Sequence, residues 1–189
     1  ATGSGAMHID NVRFSGTGMI TVMSSPAIIP VSATWDADGG ADTLLSTATN
    51  WVDDTVPAFD GTTLAVFATG GITATVDTAA SLYGMTFSAN TNFSVASGAG
   101  VLTNGQGGVL AQVPNTTSRT YTLAEDLVLT DNQIWTVTNN GAGTTTLNVS
   151  GAIDDRVLPY SLTKAGDGAL ILSGNNTYDG STTVKTSGV

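Results

Sequence analysis

Ser161-Leu162-Thr163-Lys164-Ala165-Gly166-Asp167-Gly168-Ala169-Leu170-Ile171-Leu172-Ser173-Gly174-Asn175-Asn176-Thr177-Tyr178-Asp179-Gly180-Ser181-Thr182-Thr183-Val184 is the stretch on which the fold turns. It reads as strand, Gly-x-Gly turn, strand, Gly-Asn-Asn turn, strand. Successive side chains of a strand point to opposite faces. The pattern predicts Leu162, Leu170, Leu172 and Val184 on one face, with Thr, Lys and Ser on the other. Tyr178 is placed to close the core at a corner. Gly and Asn accept the tight or left-handed backbone that such turns need.

The same alternation extends upstream. It marks His8–Phe14, Met19–Met23, Leu64–Ala68, Ile72–Val76, Leu82–Phe87, Phe93–Ala96, Gly108–Val113, Thr144–Val149 and further short runs. Gly, Asn or Asp punctuates almost every gap, as at Gly70-Gly71, Asn104-Gly105, Asn139-Asn140-Gly141 and Asp154-Asp155. No window carries a convincing 3.6-residue apolar period, and the best helical candidate, Thr122 to Asp131, is short. Strands of roughly four to six residues recurring every 8 to 12 residues make an all-β chain: a β-sandwich (jelly roll), a barrel or a β-solenoid. Alternation alone does not choose among them. In a solenoid, three strands and their turns make a coil of roughly 20 to 30 residues, so about six coils fit between Ala33 and the C-terminus.

The quoted stretch closely resembles the autotransporter-associated β-strand repeat, also called the passenger-associated transport repeat. Leu162-Thr163-Lys164, Gly166, Gly168, Leu170, Leu172, Gly174, Asn176-Thr177-Tyr178, Gly180 and Thr183-Val184 fall at that family's positions, over about 28 residues or a seventh of the chain. A looser likeness to the region preceding such repeats runs through Trp35, Asn50-Trp51, Pro57, Gly61, Phe67 and Gly84-Met85-Thr86-Phe87. The resemblance implies a right-handed parallel β-helix in a secreted or cell-surface bacterial protein, with a role in passenger transport or display. Stacking is physically consistent with it, since a single coil cannot bury its own apolar face.

Two segments are expected. Residues 1–32 form an N-terminal strand and linker segment ending in Pro26-Ala27-Ile28-Ile29-Pro30, whose prolines block ladder bonding. Residues 33–189 form the β-solenoid domain, ending in the strand repeat at 161–189. The chain begins without Met and stops inside a strand pattern at Ser187-Gly188-Val189, so it reads as a fragment of a longer exported protein.

Composition narrows the function. The net charge is −10, and Arg13, Arg119, Arg156, Lys164 and Lys185 are the only basic residues, spread without a patch. Nucleic acid and anionic membrane surfaces are excluded as partners, because both require clustered cations. No apolar run approaches the roughly 20 residues of a membrane helix, so no membrane insertion of this segment is expected. The first 13 residues lack a basic and apolar leader. There is no Cys, hence no disulfide, thiolate metal site or Cys nucleophile. An acidic, Thr-rich, Lys-poor chain of this kind points outside the cell, either secreted or on the surface.

Few residues suggest chemistry. Asp36, Asp38 and Asp42 sit at positions 1, 3 and 7 of a candidate calcium loop, with Thr47 where the closing Glu of an EF-hand would stand. Calcium is the one candidate cofactor, against the alternative of a solvated turn. Trp35 and Trp51, with Trp135, are candidates for a carbohydrate platform, because sugar faces stack on aromatic rings; core packing is the competing reading. Asp53-Asp54 and Asp154-Asp155 are acidic pairs, but neighbours in sequence point to opposite sides of a strand and do not form a hydrolytic dyad. His8 has no nucleophile elbow to serve, and Gly105-Gln106-Gly107-Gly108 lacks the Lys and helix of a phosphate loop.

The leading expectation is a non-enzymatic structural or adhesive β-solenoid module. The alternatives are a self-assembling extracellular filament subunit, using exposed strand edges or N-terminal strand donation, and a polysaccharide-binding or polysaccharide-cleaving β-helix. Expected partners are neighbouring passenger repeats or copies of the chain itself, with a glycan or cell-surface ligand as a further candidate.

Overall fold

A computed structural model describes residues 27–68, 73–156 and 158–185. His8, the runs His8–Phe14 and Met19–Met23, and Gly70-Gly71 lie outside the described residues.

The chain enters at β1 (Val31–Thr34), passes two single-turn 3-10 helices at Ala48–Asn50 and Val52–Asp54, and continues into β2 (Asp60–Phe67). Rungs then follow in order. They are β3 (Thr73–Thr75) with β4 (Ala80–Phe87), β5 (Phe93–Ala96) with β6 (Leu102–Gln112), and β7 (Arg119–Leu123) with β8 (Leu127–Leu129) and β9 (Gln133–Thr138). The last are β10 (Thr145–Val149) with β11 (Ile153–Asp154) and β12 (Leu162–Ala165), then β13 (Ala169–Leu172) with β14 (Thr182–Val184).

Every strand pairing among the described residues is parallel and joins one rung to the next. One face is β3-β5-β7-β10-β13, and a second is β1-β2-β4-β6-β9-β12-β14. The third is made by the first residues of β4 and β6 with β8 and β11. The fold is therefore an all-β parallel solenoid. A sandwich of antiparallel sheets is ruled out, because hairpin neighbours would pair antiparallel.

The solenoid makes about four turns from β3 to β13, fewer than the six expected. Coil length does not explain the difference: Thr75 pairs with Ala96, Val95 with Leu123, Leu123 with Val149 and Val149 with Leu172, all within the expected span. It comes from residues such as 35–59, which join the stack through isolated bridges, hydrogen bonds and ring contacts and not as a strand of a regular coil. The weak helical candidate at Thr122–Asp131 is strand, turn and strand. Leu123, Glu125, Leu127 and Leu129 are buried at every second position.

Inward residues stack in files along the axis. Ala74, Val95, Leu123, Val149 and Leu172 make one file; Phe93, Tyr121, Leu147 and Leu170 make another. Each fully buried Leu, Val or Phe contributes about 1.5–3 kcal/mol relative to exposure. Toward the N-terminal end the core is aromatic. Trp35 meets Trp51 edge-on at 5.3 Å, Phe67 stacks on Phe87 at 5.2 Å and packs on Phe93 at 4.9 Å, and Phe87 stacks on Tyr121 at 5.6 Å. The Tyr121 hydroxyl donates to the Ala89 carbonyl at 2.7 Å, and burial pushes its pKa up to about 12.

One corner is polar inside. The Asn104 amide donates to Gln133 Oε1 at 2.9 Å and to the Gly108 carbonyl at 3.0 Å, while Trp135 Nε1 donates to the same Gln133 oxygen at 2.6 Å. Gln133 Nε2 donates in turn to the Asn104 backbone carbonyl, so the buried donors of this corner are paired, while the buried Asn104 Oδ1 has no partner.

Candidate functional site

The last stretch of the solenoid, residues 162–185 from β12 through β13 to β14, has a polar and steric seam against the turn before it. Leu162 is fully buried, whereas Leu170, Leu172 and Tyr178 are half-buried and Val184 is exposed. Tyr178 packs against the core as its spacing predicts, with its hydroxyl 2.5 Å from Thr182 Oγ1. Lys164 departs from the outward placement expected of it. It is in register with buried Trp135 on one side and Val184 on the other, and its ammonium turns back to donate to the Gly166 carbonyl at 2.5 Å.

The glycines of this stretch mark its closest approaches. Gly166 adopts φ +80°, a left-handed turn that L side chains disfavour. Gly174 is needed for space instead. A Cβ there would lie 2.0 Å from the carbonyl oxygen of Gly151 in the rung below. At Gly180 the same atom would lie 2.0 Å from the Tyr160 carbonyl.

Side chains complete the seam. Asn176 Oδ1 accepts the Ile153 N–H at 3.0 Å, and the Thr177 N–H donates to the Ile153 carbonyl at 2.8 Å. The Asn139 N–H donates to Asp167 Oδ1 at 2.9 Å, and that bond above all holds the Asp167 carboxyl below the usual carboxylate range. Buried Asp155 accepts the N–H of Tyr160 at 3.0 Å and of Asp179 at 2.9 Å through one oxygen, tying its own loop to the following rung. Sequence reading treats Asp155 only as half of an acidic pair. The signal that could have found it is its distance from Asp179, one coil further on.

Asp155→Ala removes the acceptor of the Asp179 N–H, whereas the Tyr160 N–H keeps its bond to the Leu158 carbonyl at 2.8 Å. The expected loss is about 1–3 kcal/mol, for the one N–H left unpaired. Asp155→Asn, which keeps a carbonyl oxygen, retains most of the stability. Urea denaturation of the two variants checks the order, and equal midpoints would refute the role.

The candidate ligand residues are placed otherwise than expected. Trp35 and Trp51 are 0% and 1% exposed, so neither ring offers a face to a sugar. Trp51 Nε1 donates to the Leu45 carbonyl at 2.8 Å, and Trp135 is buried likewise. The platform reading yields to core packing because both rings are buried against other aromatic side chains, Trp35 on Trp51 and Phe67 and Trp51 on Phe59.

Asp36, Asp38 and Asp42 are not drawn together. Among the described residues no group of three carboxylates or imidazoles is arranged to hold a metal ion. Asp36 accepts the Asp38 N–H at 3.4 Å. Asp42 accepts the Leu44 N–H at 2.8 Å and the Thr47 hydroxyl at 2.7 Å, bonds that hold its carboxyl below the usual range. Thr47, expected to close a calcium loop, is instead a donor to Asp42. Asp53 and Asp54 lie exposed in left-handed backbone.

Among the described residues no helix is long and apolar enough to cross a membrane. No curated protein and no solved structure matches the chain. Residues 162–189 match the family model described as the passenger-associated-transport-repeat, so the stretch that carries this docking seam is the part of the chain similar to that family.

Proposed function

We propose that this chain is a non-catalytic structural segment of an exported passenger, secreted or held at the cell surface, whose terminal repeat registers a new coil on the one already folded. The observation that carries this reading is a coincidence of positions. Gly166, Gly174, Asn176 and Gly180, which belong to the repeat pattern, are residues that form its turn or contact the preceding rung.

A solenoid is stabilised by nearest-neighbour interfaces, so a chain emerging through a membrane can fold rung by rung on what has already emerged. A rung whose backbone hydrogen bonds and glycine contacts fit the coil below supplies both register and a template. Cysteine-free composition suits such passage, since no disulfide can form before it is complete.

The test is surface display. The chain is fused to an outer-membrane translocator barrel, with and without residues 161–189, and shaved from intact cells with protease. Removing the repeat is expected to lower the displayed fraction several-fold and raise the periplasmic fraction. Equal display of the two would refute the transport role.

A further inference from the structure

We propose that the outer face of β4 and β6 is a binding site for a neutral oligosaccharide, with the Tyr83 ring at its centre. This goes beyond the reading of the repeat as a folding device, and it rests on a different part of the coil. Leu82 pairs with Asn104 and Gly84 with Gly108, so the single residue Tyr83 stands opposite three, Gly105, Gln106 and Gly107. Gln106 and Gly107 are exposed beside the half-buried ring. Bulges of this kind re-aim side chains and are concentrated next to functional sites.

Glycine keeps the place of the ring. A Cβ at Gly107 would meet Cδ1 and Cε1 of Tyr83 at 2.5 Å, and one at Gly84 would meet the Gly107 backbone at 2.9 Å. Tyr83 and Gln106 together border two adjoining depressions. One, of about 530 Å³, has exposed Leu110 and Ile134 in its wall with Asn132. The other, of about 420 Å³, takes in Asp131. Asn132 is fixed through Oδ1, which accepts the Ser161 N–H at 2.8 Å, and keeps its Nδ2 donor for a ligand.

The chemistry of the lining selects the occupant. A sugar offers an apolar ring face to an aromatic side chain and hydroxyls to amides, and Tyr83, Gln106 and Asn132 supply both kinds of partner. Among the described residues that line the two depressions, Asp131 is the one Asp, Glu, Lys, Arg or His. With a carboxylate and no cation, the site disfavours phosphate, uronate and sialate groups. A peptide binding by strand addition needs a free backbone edge, whereas β4 and β6 have strand neighbours on both sides. The lining comes from β2, β4, β6 and β9 in turn, so the groove crosses the rungs and suits an extended chain of sugars.

The experiment probes the full chain with a printed array of neutral oligosaccharides beside uronate- and sialate-bearing ones, followed by calorimetric titration of the best-retained neutral sugar. Wild type is expected to retain neutral sugars and pass over acidic ones. Tyr83→Ala is expected to weaken binding on the order of tenfold or more, and Gln106→Ala several-fold. Tyr83→Phe keeps the ring and is expected to retain most of the affinity. Thr122→Ala, on the sheet of β3, β5, β7, β10 and β13, is expected to bind like wild type. Circular dichroism confirms that each variant folds. Gln106 sits on the exposed bulge, so its variant decides the case should Tyr83→Ala disturb the coil. A wild type that retains no neutral sugar overturns the proposal. So does a preference for acidic sugars, or folded Tyr83→Ala and Gln106→Ala variants that bind like wild type. Display measurements on the repeat deletion are independent of all these outcomes.

Discussion

Phe67→Ala is expected to cost about 3–5 kcal/mol, the range for removing a buried phenylalanine, and to do so by breaking the aromatic file at its branch point. Phe67 is buried and touches three other rings: Trp35 at 6.4 Å, Phe87 at 5.2 Å and Phe93 at 4.9 Å. The three belong to successive parts of the stack, so the cavity opens between rungs instead of at a surface. Parallel ladders hold the neighbouring backbones at fixed spacing and limit collapse into the space. Ring geometry adds about 0.5–1.5 kcal/mol per pair beyond area. Phe67→Leu restores part of the volume and none of the stacking, so it falls between the two. Guanidinium denaturation followed by tryptophan fluorescence reads the effect directly, since Trp35 packs against Phe67. A loss below about 1 kcal/mol for Phe67→Ala would mean that the file is not continuous.

Gly174→Val is the second large perturbation, and its effect is local. The added Cβ would meet the Gly151 carbonyl oxygen at 2.0 Å and its carbon at 2.5 Å. Both are backbone atoms of a paired rung and cannot swing aside as a flexible side chain would. The terminal rung has to lift away, taking with it the Ser173 to Val149 and Thr177 to Ile153 backbone bonds. Because a solenoid rung leans only on its neighbours, the rungs below remain folded. Hydrogen exchange should show protection lost at Ser173, Thr177, Asp179 and Ser181 and retained at Tyr121 and Leu147. A uniform loss along the chain would contradict rung-wise stability. The same variant links the seam to export. Display should fall toward the level of the repeat deletion, although only one side chain has changed.

Much of the architecture was legible because alternation is a local property. The period-two runs at Phe93–Ala96, Thr144–Val149 and Ala169–Leu172 correspond to β5, β10 and β13, and Gly or Asn stands at the turns between them. The candidate sites were not legible in this way. For Trp35 and Trp51 the sugar platform stays open beside core packing until the position of Phe67 and Leu45 around them is known. For Asp42 a metal-ligand role stays open beside a solvated turn until Thr47 and the Leu44 N–H are seen to use both its oxygens.

The amino-acid order alone determined that this chain is built of short strands, where they turn, and that its last stretch carries a repeat, since each depends on residues within a few positions of one another. Only the tertiary structure decided the number of turns, the inward register of Lys164, the bridging role of Asp155 and the burial of the tryptophans. Those depend on which backbone lies one coil away, and coil length changes from rung to rung with the corners. A side chain's partners across that distance are set by stacking geometry, which no local pattern encodes.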